Sequence, residues 1–205
     1  AVGDFNGDGY DDAAIGVPYE DIGTRGGAGA VNVFYGSPSG LTKTASQFFS
    51  QNSPGIAGVA ETGDFFGTAL AAGDFNGDGY DELAVGSPGE DMVEQHAGLV
   101  HVLNGTQHGL TGRSTYLHQN TPGISGRQEL YDYFGNTLTA GDVTGGYDDL
   151  FVGVPNEHIG PVTDYPGPQG AIHFVPGGSN GLNFVGEFAL HADTPGMPDM
   201  QADHT

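Results

Sequence analysis

Oxygen donors recur at alternate positions in three places along the chain. In the segment Asp4-Phe5-Asn6-Gly7-Asp8-Gly9-Tyr10-Asp11-Asp12, the side chains of Asp4, Asn6 and Asp8 can turn toward one point. Gly9 permits the sharp bend that a side chain would obstruct. The backbone carbonyl of Tyr10 and the carboxylate of Asp12 complete a set of hard oxygens in about the number that calcium takes in preference to magnesium. The second copy offers Asp74, Asn76, Asp78, the carbonyl of Tyr80 and the carboxylate of Glu82. The third is one residue shorter and has no acid in the place of Asp78, leaving Asp142, Thr144, the carbonyl of Tyr147 and Asp149. Two Ca2+ sites are therefore expected, and a third that is weak or empty, because losing a central carboxylate removes charge and a ligand together. Taken singly, each loop also reads as an ordinary Asn-Gly or Asp-Gly turn between strands; two nearly identical copies keeping every ligand position favour the metal. An EF-hand is excluded, since Ile15 and Val85 stand where its closing Glu belongs and the flanks are strand-like.

Loops of this kind need a regular scaffold, and the chain repeats itself around them. The three loops open at Asp4, Asp74 and Asp142, spacings of 70 and 68 residues. The segments opening at Gly29, Gly98 and Gly170 align, as do Gln51-Asn52-Ser53-Pro54-Gly55-Ile56 and Gln119-Asn120-Thr121-Pro122-Gly123-Ile124, with a worn copy from Ala192. The repeat units run approximately 1–65, 66–133 and 134–205. Each parses into four short strands. The first spans Phe66 to Leu70 and, in its copy, Phe134 to Leu138. The second follows the acidic loop, with Leu83 and Val85 alternating against Ala84 and Gly86. The third places Val31 and Val33, Val100 and Val102, or Ile172 and Phe174 on one face. The fourth spans Gln47 to Gln51, Thr115 to Gln119 and Phe188 to Ala192. Four short antiparallel strands per repeat without helical periodicity predict an all-β fold of β-propeller blades, with a sandwich as the alternative.

Composition narrows the function. Four basic residues stand against 26 acidic ones, a formal charge of -22, which repels nucleic acid and anionic membranes and calls for cations wherever carboxylates crowd. The absence of cysteine excludes disulfides and thiolate chemistry. No run reaches membrane-spanning length and Ala1 does not open a leader, so membrane insertion is not expected and the chain reads as soluble and already processed.

Catalytic signals are weak. Gly36-Ser37-Pro38-Ser39-Gly40 carries proline at the centre and is no nucleophile elbow. His101 and His173 occupy equivalent third-strand positions and read as structural. The pairs Glu20-Asp21, Glu90-Asp91 and Glu157-His158 follow the second strand in each unit and are expected to cap turns, face solvent or join an interface. Phe48, Phe49, Phe65, Phe66, Tyr133 and Phe134 recur in register and are assigned to the core between blades. The irregular loop from Gly160 to Gly170 is the candidate private binding surface.

Phe66-Gly67, the D-x-N-x-D-G loops, the V-G-x-P that follows and the glycine-flanked third strand resemble the FG-GAP repeat of integrin α-subunit propellers and of secreted bacterial proteins built from it. Q-N-x-P-G-I and E-x-x-D-x-F-G look like secreted actinobacterial members. The resemblance covers essentially the whole chain. It implies a secreted, extracellular propeller with calcium between the first and second strands, on the face away from the usual ligand-binding loops. It also implies a module for cell adhesion or for binding a protein or carbohydrate rather than for catalysis. The alternative is an accessory propeller of a secreted hydrolase, or an enzyme whose site needs further blades. Such propellers have about seven blades, whereas this chain holds about three, starts after its expected first strand and stops where the next Phe-Gly is due. Further blades from the same precursor, or a homo-oligomer, are therefore expected to complete the ring.

Overall fold

A computed structural model describes residues 1–159, 168–191 and 194–196. Twelve strands form three four-stranded antiparallel sheets in strict chain order. The first sheet holds β1 (Val2–Gly3), β2 (Asp12–Val17), β3 (Ala30–Tyr35) and β4 (Thr42–Phe49). The second holds β5 (Leu70–Gly73), β6 (Glu82–Ser87), β7 (Leu99–Leu103) and β8 (Ser114–Leu117). The third holds β9 (Thr137–Gly141), β10 (Asp149–Val154), β11 (Ala171–Val175) and β12 (Phe188–Leu190), the last preceded by one 3-10 turn at Phe184–Gly186. Each sheet is an up-and-down meander, the form of a propeller blade. No helix among the described residues is long and apolar enough to cross a membrane.

Strand boundaries depart from the sequence expectation at two places. The first strand begins after the Phe-Gly pair, because Phe65 and Gly67 adopt φ of 55° and 90°, outside the β region. That also corrects the placement of Ala1: Val2–Gly3 is a short first strand, paired with Ala13 and Asp12 of β2. The fourth strands stop before Gln51 and Gln119, where turns begin: Ser50 N–H donates to Ser53 Oγ at 3.0 Å and His118 N–H to Thr121 Oγ1 at 2.9 Å. Ala192 and the loop proposed as a private binding surface, from Gly160 through 167, lie outside the described residues.

The displaced Phe-Gly corner has a purpose in packing. Phe66 N–H donates to the Ala28 carbonyl of the preceding blade at 3.0 Å, and Phe134 N–H to Ala97 at 2.9 Å. The approach is so close that a Cβ on Gly16 would lie 2.0 Å from the Gly67 carbonyl oxygen, and one on Gly86 2.1 Å from that of Gly135. Gly16 and Gly86 are therefore required by the next blade, not by their own strands.

Both apolar cores lie between blades. Phe5, Val31, Val33 and Phe49 of the first blade meet Phe66, Leu83 and Val85 of the second. Phe75, Val100, Val102 and Leu117 of the second meet Phe134, Leu150 and Val152 of the third. Each fully buried phenylalanine contributes about 1.5–3 kcal/mol. The middle blade is covered on both faces, so every residue of β6 and β7 is buried instead of alternating. The aromatic assignment needs correction in part: Phe49, Phe66 and Phe134 are core, but Phe48 points outward on β4, while Phe65 and Tyr133 lie half-buried against Tyr19 and His96 of the preceding blade.

Candidate metal centre

The acidic loops join the first and second strands of each blade, so all three lie at one end of the blades. In the first, Asp4 Oδ1 and Asn6 Oδ1 both accept the Asp8 N–H, at 3.1 and 2.9 Å, and Asp4 Oδ2 accepts Gly9 N–H at 2.8 Å. One amide within reach of two side-chain oxygens means that positions one and three already curl toward a common centre. Asp8 Oδ1 accepts the Tyr10 N–H at 3.0 Å and continues the curl. Gly7 and Gly9, at φ of 69° and 83°, supply the left-handed steps this path requires. The second loop repeats the pattern through Asp74, Asn76, Asp78 and Tyr80. A cavity of about 480 Å³ opens beside it, lined in part by Asn76, Asp78 and Glu82.

Asp12 and Glu82 sit under the loops and are buried. Asp12 accepts the N–H groups of Phe5 and Gly36 at 2.9 and 2.8 Å, and Glu82 accepts Phe75 N–H at 3.1 Å and the Asn76 amide at 2.9 Å. Burial raises the Asp12 carboxyl above its ordinary range; Gly36 and Phe5 oppose that, and Asp4 and Asp8 add repulsion. Burial first, then Asp78 and Asp74, push the Glu82 carboxyl up to about 8. Crowded carboxylates around a curled loop are the charge pattern that a hard cation neutralises, and the donors, all oxygen, fit one.

The third loop is built differently. Asp149 accepts Val143 and Thr144 N–H at 3.0 Å each, Thr144 Oγ1–H at 3.0 Å and Gly177 N–H at 2.9 Å. Burial acts to raise its pKa, but these bonds prevail and hold it below the ordinary carboxylate range. Asp142 accepts the Gly145 and Gly146 N–H groups much as Asp4 and Asp74 accept those of their own loops, so the difference lies at Asp149 and in the missing acid. Val143, in the place of buried Phe5 and Phe75, is exposed.

Two participants were not singled out from sequence. Asp81 exchanges backbone and side-chain hydrogen bonds with Asp4, its Oδ2 accepting Asp4 N–H at 2.9 Å and its own N–H reaching the Asp4 carbonyl at 3.0 Å. Asp148 does the same to Asp74 at 2.9 and 3.1 Å. The first two acidic loops are thus each clasped by the next blade's loop. Tyr80 and Tyr147 add to the clasp, their rings lying where a Cβ on Gly7 or Gly77 would fall. The signal was present as a repeated second Asp in each loop, but a pairing between repeats cannot be read within one repeat.

At the other end of the blades, Glu90 and Glu157 are buried and accept the side-chain amides of Gln51 and Gln119 from the preceding blade. Asp21 and Asp91 cap turns through Gly27 and His96 N–H. Burial pushes the Glu90 carboxyl up to about 7, the Gln51 bond opposing it and Asp64, Glu61 and Asp91 adding to it. A carboxyl whose pKa is higher folded than unfolded holds more protons in the native state, so its contribution falls as pH rises from about 4.5 to about 7. In excess calcium, wild-type stability should therefore drop between pH 5 and pH 8 by about 2 kcal/mol more than that of Glu90→Gln, read from urea melts. Parallel pH profiles would show that Glu90 is not the titrating group.

His101 and His173 belong to the core rather than to a reaction centre. His101 is fully buried with its ring 5.4 Å from Phe66 at an edge-on angle, and burial pushes it down to about 4. His173 sits in the same way on Phe134 and bonds through Nδ1 to buried Glu187 at 2.6 Å.

Comparison with known proteins agrees with this architecture. A family profile described as "FG-GAP repeat" matches residues 1–34 and 66–103. The chain is similar to Integrin alpha-PS5 of Drosophila melanogaster, 41% identical over 95 residues, covering 45% of this chain and 8% of that protein. It is 31% identical over 175 residues to Integrin alpha-3 of Mus musculus, covering 78% of this chain and 14% of that protein. To Integrin alpha pat-2 of Caenorhabditis briggsae it is 28% identical over 194 residues, 89% of this chain and 14% of that protein. The chain therefore spans a small part of the length of these relatives, 14% or less. Two profile-matched repeats, integrin α relatives and three blades locked together through their Phe-Gly corners place this chain in the FG-GAP repeat family of integrin α-like β-propellers.

Proposed function

We propose that the chain is a calcium-braced extracellular module that binds a protein or carbohydrate partner and performs no catalysis. The observation that carries this reading is the curl of side-chain oxygens in the first two loops, each clasped to the next blade. Calcium would be held by Asp4, Asn6, Asp8, the Tyr10 carbonyl and Asp12, and by Asp74, Asn76, Asp78, the Tyr80 carbonyl and Glu82. Its role is structural: it neutralises the carboxylates and fixes the loop that carries the inter-blade bonds. The integrin α relatives support adhesion or ligand recognition as the task and the extracellular space as the place. The repeat units 1–65, 66–133 and 134–205 are the proposed structural units. Further blades, from the same precursor or from other copies, would cover the apolar side chains of Ile15 and Phe48 on the first sheet and Ile172 and Phe188 on the third, which are about half exposed here.

Calorimetric titration tests the metal assignment directly. Calcium should bind at two sites per chain. Asp8→Asn and Asp78→Asn should each weaken one site by about tenfold or more, while Asp142→Asn changes nothing. A third equivalent lost on Asp142→Asn would return the third loop to the set, and no uptake at all would end the calcium reading.

A further inference from the structure

Glu129, Asp132 and His158 each offer a donor atom, and the three atoms lie within 4.8 Å of one another. The group sits between the second and third blades, at the end away from the acidic loops: Glu129 and Asp132 on the connector from β8 to β9, His158 just after β10. Asp132 is fully buried; its Oδ2 accepts the Glu129 N–H, and its Oδ1 has no hydrogen-bond partner. Glu129 commits Oε1 to the Arg127 guanidinium at 2.6 Å. Its Oε2 is buried, lies 3.5 Å from His158 Nδ1 and has no hydrogen-bond partner either.

Two enclosed carboxylate oxygens without donors are costly, and native structures rarely leave them so. An ion pair between His158 and Glu129 would not serve Asp132 Oδ1. A cation at the centre of the three would serve all of them. The 3.5 Å between His158 Nδ1 and Glu129 Oε2 is close to the edge of a tetrahedral site with bonds of about 2.1 Å, which is about 3.4 Å.

We propose that Glu129, Asp132 and His158 form a site for a divalent transition ion of the zinc class, separate from the acidic loops. One imidazole with two carboxylates suits zinc, whereas calcium takes oxygen alone. The ion ties the connector between two blades to the loop after β10. Its remaining position faces an open groove of about 700 Å³ whose lining includes Leu130, Tyr131 and Pro168. At the first junction Glu61 and Asp64 match Glu129 and Asp132, but Asp91 stands in the place of His158 and caps a turn, and the imidazole beside it, His96, is bonded through Nδ1 to the Gly89 carbonyl. Glu129, Asp132 and His158 are the one such group among the described residues.

The test is calorimetric titration of the whole chain with zinc chloride in saturating calcium, so that the acidic loops are occupied by their own ion. One zinc per chain should bind, and His158→Ala and Glu129→Gln should each weaken it by about tenfold to a hundredfold. Cobalt as probe should give visible absorption bands in the wild type that His158→Ala loses. Thermal melts in calcium alone check that both variants fold, and His158 and Glu129 are partly exposed enough to be replaced. No zinc uptake in calcium, or uptake that neither replacement weakens, overturns the site. Either result leaves the two-site calcium titration untouched.

Discussion

Withdrawing calcium should lower the melting temperature by about 10–20 °C. A ligand held at a hundred times its dissociation constant adds about 2.7 kcal/mol to the folded state, and two loops have the full donor set. For a domain of this size each kcal/mol shifts the transition by about 2–4 °C. The effect extends beyond the loops because Asp4 and Asp74 hold Asp81 and Asp148 of the following blade. Loosening either loop therefore frees part of a blade interface. Calorimetry in calcium and in chelator measures the shift. Asp8→Asn and Asp78→Asn, each weakening its site about tenfold, should each remove about a quarter of it, and the double replacement about half. A thermogram indifferent to chelator would leave the clasp standing on hydrogen bonds alone.

Gly98→Ala should cost about 4 kcal/mol, a large fraction of a domain's stability. Two effects combine. Gly98 has φ +86°, a conformation in which an L side chain costs about 1–2 kcal/mol. Its added Cβ would also lie 2.3 Å from the Phe134 carbonyl oxygen and 2.5 Å from its nitrogen, in backbone that cannot swing aside like a side chain. Phe134 would have to retreat, and it is fully buried in the core shared by the second and third blades. Gly40→Ala isolates the first effect: φ is +95° there, with nothing within 4 Å of the new atom. It should cost about 1 kcal/mol. Unfolding free energies from urea titration decide the matter, and equal losses at the two positions would mean that the blades do not depend on this close approach.

Much of the fold is legible in the sequence because it is local and repeated. Alternation of Val31 with Val33 and Val100 with Val102, punctuated by Gly-rich turns, dictates short strands, and recurrence at Asp4, Asp74 and Asp142 dictates three blades. The acidic loops are legible for the same reason, since their donors lie within nine residues. Periodicity cannot separate Phe48 from Phe49, one exposed on the strand and one in the core, when both neighbours are apolar. The buried Gln51–Glu90 and Gln119–Glu157 pairs were equally hidden, because each partner reads alone as an ordinary polar loop residue.

What the sequence by itself determined is everything carried by backbone geometry and donor order within one repeat: strand-forming alternation, turns that need glycine, and loops whose acids fall at every second position. Only the tertiary structure decided which repeat touches which. It turned Gly16 and Gly86 into contact surfaces, Asp81 and Asp148 into clasps, and Glu129, Asp132 and His158 into one cluster. The physical reason is that these contacts join residues from successive blades. Identical repeats carry identical local signals, and only their packing gives the same residue type a different neighbour.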